Sequence, residues 1–170
     1  MKSNLIYLII TCLFLGCMQL GIAQSGVTSA KVTAHLVLAE VYNIEIEEGE
    51  DIQFAFQNKE DYDNGIELKQ ASSLVLAANA SWQVSMDTNG SEFFTASNAE
   101  NNGTMPVSVL RVKASTSEEY LPLSANTTVI YTSNTRGSNQ ELTLDYLAKP
   151  EWNTPKDSYV LEIRYTIAPN

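Results

Sequence analysis

The sequence predicts an all-β protein, a single antiparallel β-sandwich of about nine strands. Three observations carry that expectation. Apolar and polar residues alternate with period 2 in run after run from residue 32 onward, helical spacing is scarce after residue 24, and Asn-Gly pairs punctuate the runs. Period 2 places every second side chain on one face, so each run reads as a strand with one buried and one wetted side.

In chain order, Val32, Ala34, Leu36 and Leu38 alternate with Thr33 and His35 and predict a first strand. Ile44 and Ile46 between Glu45 and Glu47, then Ile52, Phe54 and Phe56 around Gln53, predict the next two. Leu74 and Leu76 give a fourth, and Trp82, Val84 and Met86 set against Gln83, Ser85 and Asp87 a fifth. Val107 and Val109 begin another, in which the apolar phase changes face by Val112, the mark of a β-bulge or of burial on both sides. Val129 with Tyr131 follows, then Leu142, Leu144 and Tyr146. The last run is the longest: Tyr159, Leu161, Ile163, Tyr165 and Ile167 form one face. Asn64-Gly65, Asn89-Gly90 and Asn102-Gly103 supply residues that tolerate positive φ in tight turns. Pro106, Pro122, Pro150 and Pro155 lie outside strand centres, as the missing amide proton requires. Residues 97–104 and 133–140, rich in Ser and Asn, read as long loops.

The N-terminus has the form of a secretory leader over residues 1–23: Lys2, an apolar run from Leu5 to Leu15, and small residues up to Ala23. Gly16, Gln19 and Gly21 interrupt the unbroken apolar stretch of about 20 residues that a membrane anchor needs. The expected mature chain is one domain, residues 24–170, with no integral membrane span. It would be exported to the cell surface, periplasm or extracellular space. Leu15-Gly16-Cys17 offers a competing cleavage that would leave Cys17 lipidated. Cleavage after Ala23 removes both cysteines, so the exported domain would be held by its core and not by disulfides.

Composition excludes several function classes. Twenty acidic residues against ten basic ones give a net charge of -10, which repels phosphate and argues against nucleic acid as a partner. One histidine, His35, in an alternating run, and the absence of a Gly-x-Ser-x-Gly elbow leave no base and nucleophile to pair, so the chain is expected not to be an enzyme. No cofactor is expected.

Phe54-Ala55-Phe56, Asp61-Tyr62-Asp63-Asn64-Gly65, Leu74-Val75-Leu76, Trp82-Gln83-Val84-Ser85-Met86 and the terminal run Tyr159 to Ile167, in this order behind a leader, resemble secreted bacterial pilin-like sandwich proteins. Domains of the spore coat U and fimbrial-subunit type, and of the WxL type, similarly end in a Tyr-led alternating strand. The resemblance implies an immunoglobulin-like or pilin-like sandwich and a structural or adhesive role at the bacterial envelope, with a fimbrial or fibre-like subunit as its most specific form. The chain departs from many fimbrial subunits in its lack of a mature disulfide, and Trp82 and Trp152 do not reproduce the WxL motifs.

Two partner classes follow: self-association through an alternating terminal segment added to an open sheet edge, or an envelope polysaccharide. The alternative function is a carbohydrate-binding sandwich module, for which Trp152, between Pro150 and Pro155, is the candidate ligand-binding residue. Residues 40–67 hold ten of the twenty acids opposed only by Lys59, a composition that suits calcium, with Asp61-Tyr62-Asp63-Asn64-Gly65 the nearest match to a calcium loop. That match lacks a third oxygen ligand at Gly65 and the remote bidentate Glu, so the run is read as a solvated edge that resists strand-to-strand aggregation, and no metal site is assigned.

Overall fold

A computed structural model describes residues 29–95 and 105–170. The chain divides into a unit that ends at Val37 and a compact unit from Leu38 to Asn170. Of the first, residues 29–37 are described; they carry no strand or helix, and all are exposed.

The compact unit is the expected all-β protein. Its strands are β1 (Tyr42–Glu48), β2 (Ile66–Ala78), β3 (Trp82–Thr88), β4 (Phe94–Thr95), β5 (Leu110–Ala114), β6 (Leu121–Pro122), β7 (Thr128–Ser133), β8 (Gly137–Ala148), β9 (Tyr159–Val160) and β10 (Ile163–Pro169). One sheet runs β1-β2-β8-β5-β6, a second β10-β3-β7, and β4 pairs with β9; every pairing is antiparallel. Leu74, Leu76, Val112, Leu144 and Tyr146 from the first sheet share one core with Trp82, Val84 and Met86 from the second. The alternation that predicted β2, β3 and β8 is therefore the buried face of each. The described helix is short, α1 (Lys59–Asn64), and among the described residues no helix is long and apolar enough to cross a membrane.

Several expectations are corrected. The alternating run Val32 to Leu38 is not a strand, and His35 is an exposed residue outside any strand. Residues 52–56 alternate in burial as expected, with Ile52, Phe54 and Phe56 packed against the core, yet they join no ladder. The phase change near Val109 is a 3-10 turn over Val107–Val109 that leads into β5. In β7 the buried residue is Ile130, not Val129, because the pairing with β3 shifts by one residue between Val84 and Ser85. Half of the expected loop 133–140 is the start of β8, whose first residues carry the positive φ of Gly137 and Asn139, and only residues 134–136 are loop. The terminal run is two strands, since Leu161 and Glu162 interrupt it between β9 and β10. Asn64-Gly65 ends a helix where a hairpin was expected: Gly65 at φ 80 donates its amide to Asp61 O. Residues 1–28 and 96–104, with the leader, Cys17 and Asn102-Gly103, lie outside the described residues.

The ladder between β2 and β8 is interrupted where Leu68 faces Tyr146 and Ser72 faces Leu144, leaving three residues of β2 opposite Asp145 alone. Gln70 adopts φ 50 in this bulge. Its amide, deprived of a ladder partner, donates instead to the Asp145 carboxylate at 2.8 Å. Ser115 Oγ also donates to that carboxylate, and Lys113, opposite Asp145 in the β5–β8 register, pairs with it at 3.5 Å. Burial opposes ionisation of Asp145, but the Ser115, Gln70 and Lys113 donors outweigh it and hold the pKa below 3.8.

Candidate functional site

A β-sandwich made of two open sheets leaves four edges, and each edge exposes main-chain groups that no ladder satisfies. Here β1 is an edge of the first sheet and β10 an edge of the second. Between them lies a cavity of about 700 Å³ lined by Ile46, Ile52, Leu74, Leu161, Ile163 and Tyr165, with Ser72 and Tyr146 among its walls. Leu74 of β2 and Ile163 and Tyr165 of β10 face the core, Ile52 and Leu161 pack against it from connecting segments, and Ile46 of β1 is exposed at the margin, so the cavity opens on a side of the core that the strands leave uncovered.

A chain of hydroxyls crosses this side. Ser72 Oγ donates to Gly49 O at 2.9 Å, Tyr146 OH donates to Ser72 Oγ at 2.9 Å, and Tyr165 OH lies 2.9 Å from Tyr146 OH. With the Tyr146 proton committed to Ser72, Tyr165 is the donor of the last bond. The chain thereby ties β10 to β2 and β8 across the open side. Burial raises the Tyr146 pKa, and burial together with its bond to Tyr146 raises that of Tyr165 well above 10.0, so both phenols stay neutral. Gly49, at φ 73, also lines the cavity, and a Cβ there would fall 1.9 Å from Ala71 O, so the close approach requires glycine.

The rim is acidic. Glu50, Asp51 and Glu162 are exposed around the opening. Arg164, also at the rim, is bound at 2.6 Å to Asp87, its cross-strand partner on β3. The acidic run thus lies along an edge strand and its continuation, where Glu45, Glu47 and Glu48 are exposed. Its calcium-like segment is α1: Asp61 closes a capping box with Asn58, and Asp63 pairs with Lys59. The amide of Gln57, ahead of that of Asn58, lowers the pKa of Asp61.

Trp82 is core, 2% exposed, with its indole N–H donated to Thr135 O at 2.8 Å. Trp152 is 61% exposed and stacks on Tyr62 at 4.7 Å. It takes no part in the cavity between β1 and β10. Sequence reasoning did not assemble that cavity, because its walls come from segments far apart in the chain. The signal available was the apolar face of the terminal run, too wide for the partners it has: Ile163, Tyr165 and Ile167 remain only half-buried in β10.

No protein-family model and no curated protein matches this sequence. Among solved structures, a chaperone-usher pilus is similar over 84% of this chain and 96% of its own, with 12% identity and a TM-score of 0.44. A family 123 glycoside hydrolase from Clostridium perfringens is similar over 75% of this chain and 24% of its own, with 16% identity and a TM-score of 0.36.

Proposed function

We propose that this chain is a non-enzymatic, exported structural subunit that self-associates by strand addition, the segment around Val32 to Leu38 of one copy entering the cavity between β1 and β10 of another. One observation carries the reading: among the described residues the same chain holds an alternating apolar segment that joins no ladder and a cavity, with apolar side chains in its walls and charged ones at its rim, that lies between two sheet edges. Val32, Leu36 and Leu38 are 90%, 84% and 80% exposed, a costly arrangement unless a partner covers them. Burying a Val or Leu side chain contributes roughly 1.5–3 kcal/mol, and an added strand also satisfies the main-chain groups of the edge.

Dimensions and charge support the pairing. Val32–Leu38 equals β10 in length, which is 7 residues. Lys31 brings a positive charge toward a rim of Glu50, Asp51 and Glu162, and opposite charge favours encounter and register.

Light scattering on the purified protein across a concentration series tests the reading, with Leu36→Lys as the variant. The parent is expected to form concentration-dependent multimers. Leu36→Lys, which alters only an exposed side chain, is expected to keep the parent's melting temperature and lose at least about tenfold in association, the equivalent of 1.4 kcal/mol. A synthetic peptide of residues 28–40 added to that variant should raise its melting temperature, and a scrambled peptide should not. A parent that stays monomeric throughout and a peptide that leaves the melt unchanged would refute the assignment.

A further inference from the structure

The stacked pair at Trp152 shares no residue with the cavity between β1 and β10 and is not explained by assembly. Three rings form a ladder from the core outward. Phe56 packs against the core, Tyr62 lies 5.3 Å from it at 56°, and Trp152 stacks on Tyr62 at 4.7 Å and 26°. The indole N–H donates to Asp63 Oδ1 at 3.2 Å, and the other oxygen of Asp63 pairs with Lys59 one helical turn earlier. The α1 capping box fixes the short helix that presents Tyr62, Asp63 and Lys59 together, and Pro150 and Pro155 bracket the loop that presents Trp152.

The consequence is a large ring held in one orientation while most of it meets water. One face is covered by Tyr62, the polar edge is tied to Asp63, and the remaining face is open. A ring that served only to close the sandwich would be buried on that face too. A pre-oriented indole face loses little conformational entropy on contact, which is what a weak ligand requires. Around it stand hydrogen-bonding groups suited to hydroxyls: the Lys59 ammonium, the Asp63 carboxylate, and the exposed Glu151 and Asn153 beside Trp152 in sequence.

We infer that Trp152, stacked on Tyr62 and flanked by Asp63 and Lys59, is a binding site for neutral pyranose units of a polysaccharide. The C–H face of a pyranose fits the open indole face, and its ring hydroxyls fit the charged groups at the edge. Neutral sugars are specified because Asp63 holds the indole edge, Glu151 adjoins Trp152 in sequence and the whole chain carries -10, so an anionic polymer would be repelled. The inference stands whether or not the chain assembles.

Affinity electrophoresis of the purified protein through gels containing neutral polysaccharides (a β-glucan, an α-glucan, a mannan and a xylan), with alginate as the anionic comparison, tests it. Retardation is expected in at least one neutral gel and not in alginate. Trp152→Ala should weaken that retardation at least about tenfold, equivalent to 1.4 kcal/mol, and Trp152→Phe, which keeps a flat ring, should retain part of it. Intrinsic fluorescence gives a second readout on the unaltered protein, since Trp82 is buried and only Trp152 can respond to a sugar at the surface. Absence of retardation in all four neutral gels, retardation in alginate alone, or a Trp152→Ala variant retarded as strongly as the parent would overturn the inference.

Discussion

Replacing Asp145 by alanine is the most direct probe of what holds the first sheet together. The carboxylate lies opposite a three-residue bulge in β2 and receives the Gln70 amide at 2.8 Å, the Ser115 hydroxyl and the Lys113 ammonium at 3.5 Å. Alanine strands all three donors. Leaving one buried donor unsatisfied costs about 1–3 kcal/mol, and removing one partner of a buried ion pair about 3–5 kcal/mol. Two features moderate the loss: the Lys113 side chain is 15% accessible, and its ammonium sits 4.9 Å from the centre of the Tyr120 ring. The lower end of the range, about 3 kcal/mol, is therefore expected, which for a chain of this size lowers the melting temperature by about 6–12 °C. Asparagine at this position keeps Oδ1 as acceptor for the Gln70 amide and the Ser115 hydroxyl and loses only the oxygen that faces Lys113, which an amide NH2 replaces, so Asp145→Asn should lose less than the alanine variant. Thermal melts followed by circular dichroism at neutral pH give the comparison. An alanine variant that melts within about 2 °C of the parent, or an asparagine variant as unstable as the alanine one, would refute the account of the bulge.

Three further outcomes are expected. Asp145 and Asp61 both have folded pKa values lowered from 3.8, so each contributes stability that is present above that value and lost as pH falls through its folded pKa; melts should be nearly level above about pH 5 and decline below about pH 4, and a protein equally stable at pH 2 would contradict this. Tyr146→Phe removes the central hydroxyl of the chain from Gly49 to Tyr165 and should cost about 1–2 kcal/mol in urea denaturation; an unchanged midpoint would show that the chain contributes nothing. Gly49→Ala combines a positive φ with a Cβ 1.9 Å from Ala71 O, whereas Gly90→Ala, also at positive φ, meets nothing within 4 Å. The Gly49 variant should lose more than the roughly 1–3 kcal/mol of backbone strain that Gly90 also bears, and equal losses at both positions would remove the close approach from the argument.

The sequence made the core strands legible because the alternation of β2, β3 and β8 records a chemical asymmetry, an apolar face turned to the shared core and a polar one turned away from it, even where Ser85, Asp87 and Asp145 on the polar face are themselves buried. The same alternation misled at Val32 to Leu38. Period 2 says that a segment has two faces; it does not say which chain supplies the ladder that covers one of them. Residues 52–56 show a milder case, where Ile52, Phe54 and Phe56 bury one face without main-chain pairing. The loop expected at 133–140 is confined to residues 134–136, because Gly137 and Asn139 take the positive φ values that let a Ser- and Asn-rich stretch enter β8. At the aromatic site, Pro150 and Pro155 keep Trp152 out of regular strand, while its 61% exposure and its stacking on Tyr62 depend on tertiary contacts that no local pattern encodes. The cavity between β1 and β10 was illegible for the same reason, as was the role of Asp145, which in sequence is one acid among the polar residues of a strand.

The central claim is that the segment at Leu36 of one copy occupies the cavity beside β10 of another, and intermolecular disulfide trapping tests it most directly. In a Cys12→Ser, Cys17→Ser background, a protein carrying Leu36→Cys is mixed with separate proteins carrying Leu161→Cys, Ile163→Cys or Tyr165→Cys, at positions that line the cavity, or Thr116→Cys, at a position that is exposed and outside it. The account predicts that under mild oxidation the Leu36 variant forms a mixed disulfide with at least one cavity variant and that excess peptide of residues 28–40 suppresses it. Trapping at Thr116 as efficient as at the cavity positions, or no mixed disulfide with any cavity variant at concentrations where the parent scatters as a multimer, would contradict it.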